Sequence, residues 1–167
     1  MGQKIGSSLS RSEHAVQFDG SLLCEGFWIY VIRIEHNKKC YYYVGRTGDS
    51  SSPSAGSPFS RLASHFSHKK NNRSSYLKAH FLKHKINLEA SRYTLWAYGP
   101  IFKKATDWKM HKLRRNTTAL IEAELAEYMR TSLELTVIGS YPRRGKYNMQ
   151  LFKKIIQGIE TITCKKS

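Results

Sequence analysis

The chain has 167 residues, with 28 Lys+Arg against 12 Asp+Glu and a formal net charge of +16. That length allows one domain with a real core, and no apolar run approaches the ~20 residues of a bilayer-spanning helix. Cys24, Cys40 and Cys164 are scattered with no Cys-x-x-Cys pair, which fits a reduced, cytoplasmic protein and gives no zinc signature.

The positive excess predicts a polyanionic partner, because neutralised phosphates release counterions and add affinity without sequence preference. Nucleic acid is the expected partner. A membrane surface is not expected, since the basic residues are spread along the chain and not gathered on one amphipathic helix. The N-terminal Met1–Ser8 has no apolar stretch of a secretion signal, and Gly6 stands where myristoylation wants Ser or Thr.

Residues 1–20 are polar and Ser-rich and read as a loose arm. From Leu22 to Ile34 the pattern is apolar and β-prone. Tyr41 to Val44 forms a second strand after the polar turn His36-Asn37-Lys38-Lys39, so the two pair as a hairpin. Residues 46–58, rich in Ser, Gly and Pro, form a long loop, and long loops are often functional. A helix is predicted to start near Pro58, with Phe59, Leu62 and Phe66 facing the core. A second covers Ser74 to Lys85, with Leu77 and Phe81 one turn apart. Tyr93 to Tyr98 is a third strand, closed by Gly99-Pro100. Asn116, Thr117 or Thr118 is the expected cap of a helix running to about Thr131, with Ile121, Leu125, Tyr128 and Met129 as its apolar stripe. Leu135 to Ile138 is a candidate short strand. The basic turn Pro142 to Lys146 follows, and Leu151, Ile155 and Ile159 mark a last amphipathic helix. There is no internal repeat. The order predicts an α+β domain over 21–160, a small antiparallel sheet of about three strands flanked by helices, with a tail at 161–167.

Several residues on this scaffold carry potential chemistry. Tyr30 and Tyr43 sit on adjacent strands, although strand tyrosines usually only pack and hydrogen-bond. Arg61 and His65 are one turn apart on a predicted helix, where an ordinary solvated face is the plainer reading. Glu122 lies beside an apolar stripe, and a carboxylate near the core of so basic a chain is a candidate ligand for a hard cation. His80 and His84 share a helix face but lack the Glu of a zinc protease motif.

In order, these positions resemble the GIY-YIG nuclease superfamily. Its first motif stands here as Trp28-Ile29-Tyr30 and its second as Tyr43-Val44-Gly45. Its helical Arg matches Arg61, with the His one turn on at His65. Its Ala-Leu-x-x-Glu-x-x-Leu context matches Glu122, and its late Asn matches Asn148 in Lys146-Tyr147-Asn148. The resemblance covers about residues 26–148. Trp28 replaces the first Gly, Val44 replaces Ile, and the loop before Arg61 is longer than in minimal members; Glu124 is an alternative for the Glu.

The resemblance implies a metal-dependent DNA endonuclease that hydrolyses phosphodiester bonds with one Mg²⁺ or Mn²⁺ per active site, held by Glu122. It implies charge neutralisation by Arg61, proton abstraction from water by Tyr30, with His65 as the alternative base or the relay, and orientation by Tyr43 and Asn148. Arg46, Lys69, Lys70, Arg73, Arg143, Arg144 and Lys146 are the residues expected to grip double-stranded DNA, with Lys103, Lys104, Lys109, Lys112, Arg114 and Arg115 supplying further phosphate contacts. The small restriction enzymes of the superfamily are the nearest kind, which implies sequence-specific cutting, a homodimer or homotetramer, and a prokaryotic cytosol or nucleoid. A structure-specific repair or mobile-element nuclease, and a catalytically silent nucleic-acid-binding domain, are the alternatives.

Overall fold

A computed structural model of the chain describes residues 15–67, 72–139, 141, 145 and 147–163. Two long strands, β1 (Phe27–His36) and β2 (Lys39–Arg46), pair antiparallel. The two-residue turn between them has both central residues, Asn37 and Lys38, at positive φ, as a turn matching the strand twist requires. Helices α1 (Pro58–Phe66) and α2 (Asn72–Lys83) follow, then β3 (Arg92–Phe102), helix α3 (Trp108–Thr131), the two-residue β4 (Val137–Ile138) and helix α4 (Met149–Thr163). The strand order is β3-β1-β2-β4.

β1 is central, and its nearly continuous apolar run follows from burial on both faces. One face carries Ile29, Val31, Tyr42 and Val44 against Ile121, Leu125 and Met129 of α3 and Phe152, Ile155 and Ile159 of α4. The other carries Tyr30, Ile32, Ile34 and Tyr43 against Leu77 and Phe81 of α2.

The α+β architecture matches the sequence expectation, with differences in detail. The sheet has four strands and is mixed, because β4 joins β2 in parallel through Tyr42–Val137 and Tyr43–Ile138. β3 does not stop at Gly99-Pro100; it continues to Phe102 past a register shift opposite Phe27–Ile29. Proline has no N–H to give a ladder, and an irregularity is where a strand accommodates it. α3 begins two turns earlier than expected. Asp107 is its cap, accepting from the Met110 N–H at 2.8 Å, while the Thr117 and Thr118 hydroxyls donate back to the carbonyls of Leu113 and Arg114. Ser/Thr hydroxyls inside a helix do this when no cap is needed. α2 is shifted to Asn72–Lys83, and α4 runs to Thr163, past the boundary expected at 160. No helix among the described residues is long and apolar enough to cross a membrane.

Candidate active site

Tyr30 lies on β1 directly opposite Gly45 of β2. A Cβ at Gly45 would stand within 3.0 Å of the Tyr30 Cζ, Oη and Cε2 atoms. The phenol therefore lies flat across the glycine, and no larger residue fits beneath it. This close approach, not a special backbone conformation, is the physical need for glycine at that position. Trp28 fits on β1 because Gly99 of β3 makes room: a Cβ there would meet Trp28 Cε3 at 2.8 Å, and Gly99 has φ +148°. The indole N–H donates to the Cys24 carbonyl at 3.1 Å.

The Tyr30 hydroxyl lies 2.8 Å from His65 Nε2, with both residues almost wholly buried. α1 starts as expected at Pro58, with the Ser57 hydroxyl accepting from the Ser60 N–H. Leu62 and Phe66 pack against the core as expected, but they share that face with His65, which is buried more deeply than either. His65 is 2% exposed, whereas Phe59, Leu62 and Phe66 are only half-buried, and Phe59 stacks on Phe18. The imidazole is turned to the sheet because Tyr30 gives it a polar partner there. Tyr43 meets the same imidazole edge-on at 5.3 Å, and the two phenol rings are 6.5 Å apart.

Arg61, also on α1, forms an ion pair with Asp49 of the loop after β2. Arg46, the last residue of β2, donates from Nε to Glu122 Oε2 of α3 at 2.9 Å. Glu122, and not Glu124, is thus the acid turned to the strand end; Glu124 acts on Tyr147 instead. Tyr141 completes the edge of β2 by donating its hydroxyl to the Val44 carbonyl and accepting from the Val44 N–H, at 2.7 and 3.1 Å.

These groups form one electrostatic set. Burial raises the Tyr30 phenol far above the ordinary tyrosine range; Arg61 beside it pulls down, and the charges of Glu122 and Asp49 push up. Burial likewise raises Tyr43 and Tyr141. Glu122 is raised by burial, against the Arg46 guanidinium, which favours the carboxylate. Tyr30 is therefore a neutral phenol near neutral pH, and it can serve as a proton acceptor only by passing its own proton on. Its immediate neighbour for that is His65.

Among the described residues, no three His, Cys, Asp or Glu side chains group closely enough to cage a metal. Glu122 has one carboxylate oxygen on Arg46. A lone carboxylate at a strand end suits Mg²⁺, which keeps most of its water and takes one or two carboxylates plus substrate phosphate oxygens. The described residues fit such an ion.

The structure brings Tyr30, Tyr43, Arg61, His65, Glu122 and Arg46 into this set. Asn148 is placed at the start of α4, exposed, with its side-chain carbonyl accepting from the Leu151 N–H at 3.0 Å. Its hydrogen bond therefore caps a helix. Lys69, Lys70, Arg143, Arg144 and Lys146 lie outside the described residues, as does the side chain of Arg73. In the basic tract around the start of α3, Arg114 and Arg115 donate to the carbonyls of Lys103 and Ser50, and Lys104 pairs with Glu25, whereas Lys109 and Lys112 are exposed. Asp49 was not expected. A single acid in a Ser-rich loop carries no periodic signal, and only its contact with Arg61 reveals it. In comparisons with known proteins, the chain matches no family model, no curated protein and no solved structure.

Proposed function

We propose that the chain is a divalent-metal-dependent DNA endonuclease of the GIY-YIG kind, closest in type to the small sequence-specific restriction enzymes. The observation that carries this reading is the buried Tyr30–His65 hydrogen bond, with Arg61 and Glu122 in the same electrostatic set. A packing role alone does not account for that combination, because setting two guanidiniums and two carboxylates, all partly withdrawn from water, around a buried phenol and imidazole is costly for stability. Perturbed titratable groups gathered at the end of a sheet mark a functional site.

With the neutral imidazole protonated at Nδ1, the Tyr30 hydroxyl donates to His65 Nε2 across their 2.8 Å contact. As Tyr30 Oη takes a proton from the attacking water, its own proton passes to His65, which becomes imidazolium. The water oxygen bonds to phosphorus and the 3′-oxygen leaves. Arg61, held in place by Asp49, neutralises charge building on the phosphoryl oxygens. Tyr43 limits the imidazole to one orientation by packing on its edge. Glu122 would hold the Mg²⁺ or Mn²⁺, whose chemistry when bound is to polarise the scissile phosphate and stabilise the leaving oxygen. The exposed Lys109 and Lys112 and the overall charge of +16 supply phosphate attraction from double-stranded DNA.

Supercoiled plasmid incubated with the protein and Mg²⁺ tests this reading. Discrete fragments are expected, and Glu122→Ala should abolish them while the circular-dichroism spectrum is unchanged. A smear or a preference for branched DNA would point to a structure-specific nuclease. A mobility shift without cutting would leave a binding domain, and metal-dependent cutting by Glu122→Ala would remove Glu122 from the site.

A further inference from the structure

Arg46 stands where a cation belongs. Its cross-strand partner is Ile29, so its side chain leaves the sheet on the face that α3 covers. There its Nε donates to Glu122 Oε2 at 2.9 Å, and the two side chains are only 13% and 19% exposed. A guanidinium carries five N–H donors in a rigid fork. The contact with Glu122 uses Nε, while Nη1 is buried and has no hydrogen-bond partner among the described residues. A buried donor left unsatisfied is unfavourable. The observed arrangement is therefore not the best that this fork can do: an oxyanion placed beside Glu122 would satisfy it. Arg61 differs in that its charge is held by Asp49, an acid with no other assigned task.

Resting on the reading of Glu122 as the metal-holding carboxylate, we propose that Arg46 is a resident cation for Glu122. It occupies Oε2 in the metal-free protein, yields that oxygen to a divalent ion, and then turns its fork to a phosphate oxygen of bound DNA. Two cations cannot share one carboxylate oxygen without strong repulsion, so the ion and Arg46 compete for it. DNA offers Arg46 another acceptor and relieves the competition. Metal and DNA then favour each other's binding, as linkage demands. The device also gives a use to the guanidinium that follows directly on the glycine beneath Tyr30: from that position it reaches the carboxylate of α3.

The test is Mn²⁺ binding to the full chain without DNA, read by titration calorimetry or by loss of the free-ion EPR signal. Arg46→Gln should bind Mn²⁺ about tenfold more tightly than the wild type, within the ordinary range of coupling between sites. Arg46→Lys, which keeps the charge, should remain as weak as the wild type. Affinity for a DNA duplex should rise for the wild type when Ca²⁺ is added, and Arg46→Gln should lose most of that rise. Unchanged or weaker Mn²⁺ binding by Arg46→Gln, with a native circular-dichroism spectrum, overturns the proposal. Glu122→Gln separates the two levels. If it abolishes Mn²⁺ binding while Arg46→Gln has no effect, the metal site stands and the resident-cation role falls. If it leaves Mn²⁺ binding intact, the reading of Glu122 falls and takes this proposal with it.

Discussion

Gly45→Ala adds one methyl group at the point where Tyr30 crosses β2. The new Cβ would stand within 3.0 Å of three atoms of the phenol. Tyr30 is 1% exposed and its ring is hemmed by those of Tyr43 and His65, so it has no empty direction in which to move. Overpacking of this kind costs about 1–3 kcal/mol. Any displacement of the ring also breaks the bond to His65 and leaves buried polar groups unsatisfied, about 1–3 kcal/mol more. The sum, roughly 2–6 kcal/mol, corresponds to a fall in Tm of roughly 4–24 °C for a domain of this size. Thermal denaturation followed by circular dichroism reads it directly. Gly20→Ala is the control, because a Cβ at Gly20 meets nothing within 4 Å; its effect should stay within about 0.5 kcal/mol. In a Tyr30→Ala background the obstacle is gone, so Gly45→Ala should become nearly neutral, and the coupling between the two sites should equal nearly the whole of that cost. If Gly45→Ala melts with the Gly20→Ala control, the phenol does not rest on the glycine and the explanation of that position is wrong.

Other outcomes follow from the same structure. Burial raises the phenols of Tyr30, Tyr43 and Tyr141, so their contribution to stability is complete below the unfolded tyrosine value of ~10 and is lost as pH rises from there through the folded values. With these three protons retained by the native state, stability should fall by about 4 kcal/mol per pH unit above ~10; a set of Tm values flat across that range would contradict it. Tyr141→Phe removes the hydroxyl that serves both the N–H and the carbonyl of Val44, and should lower the urea midpoint by an amount equal to about 1–3 kcal/mol with the slope unchanged. An unchanged midpoint would mean that water replaces the hydroxyl at no cost. His111 is fully buried between Phe27 and Trp108, and neither ring nitrogen has a hydrogen-bond partner among the described residues. His111→Phe keeps a planar ring and removes both polar atoms, so it should stabilise by about 1 kcal/mol; destabilisation in the same melt would show that the imidazole is engaged.

Local pattern and tertiary contact divide the molecule between them. The amino-acid order alone determined the hairpin, since an apolar run, a polar turn and a second β-prone run leave one compact pairing. It determined the start of α1, where Ser57-Pro58 combines a cap with a first-turn proline, and the apolar seams of α2 and α4. The start of α3 was misread because Thr117 and Thr118 look like caps inside a polar, basic stretch, while Asp107, the true cap, stands before residues with no apolar stripe. The short β4 was legible as a strand but not as a parallel one, because pairing direction is decided by where a distant segment returns.

The site divides in the same way. Tyr30, Tyr43, Arg61, His65 and Glu122, which the fold brings together, stood out by type and order as a candidate set. That His65 joins Leu62 and Phe66 on the inward face of α1, and is buried more deeply than either, was not legible, because helical periodicity ranks apolar residues inward and cannot register a phenol waiting across the interface. Asp49 and the Arg46–Glu122 pair became visible only in three dimensions. Each joins residues far apart in the chain, and charge partners carry no periodicity. Sequence determines which faces are buried through the repeat of its apolar residues. Which charges and protons meet is decided only when strand ends, loop and helices are folded onto one another.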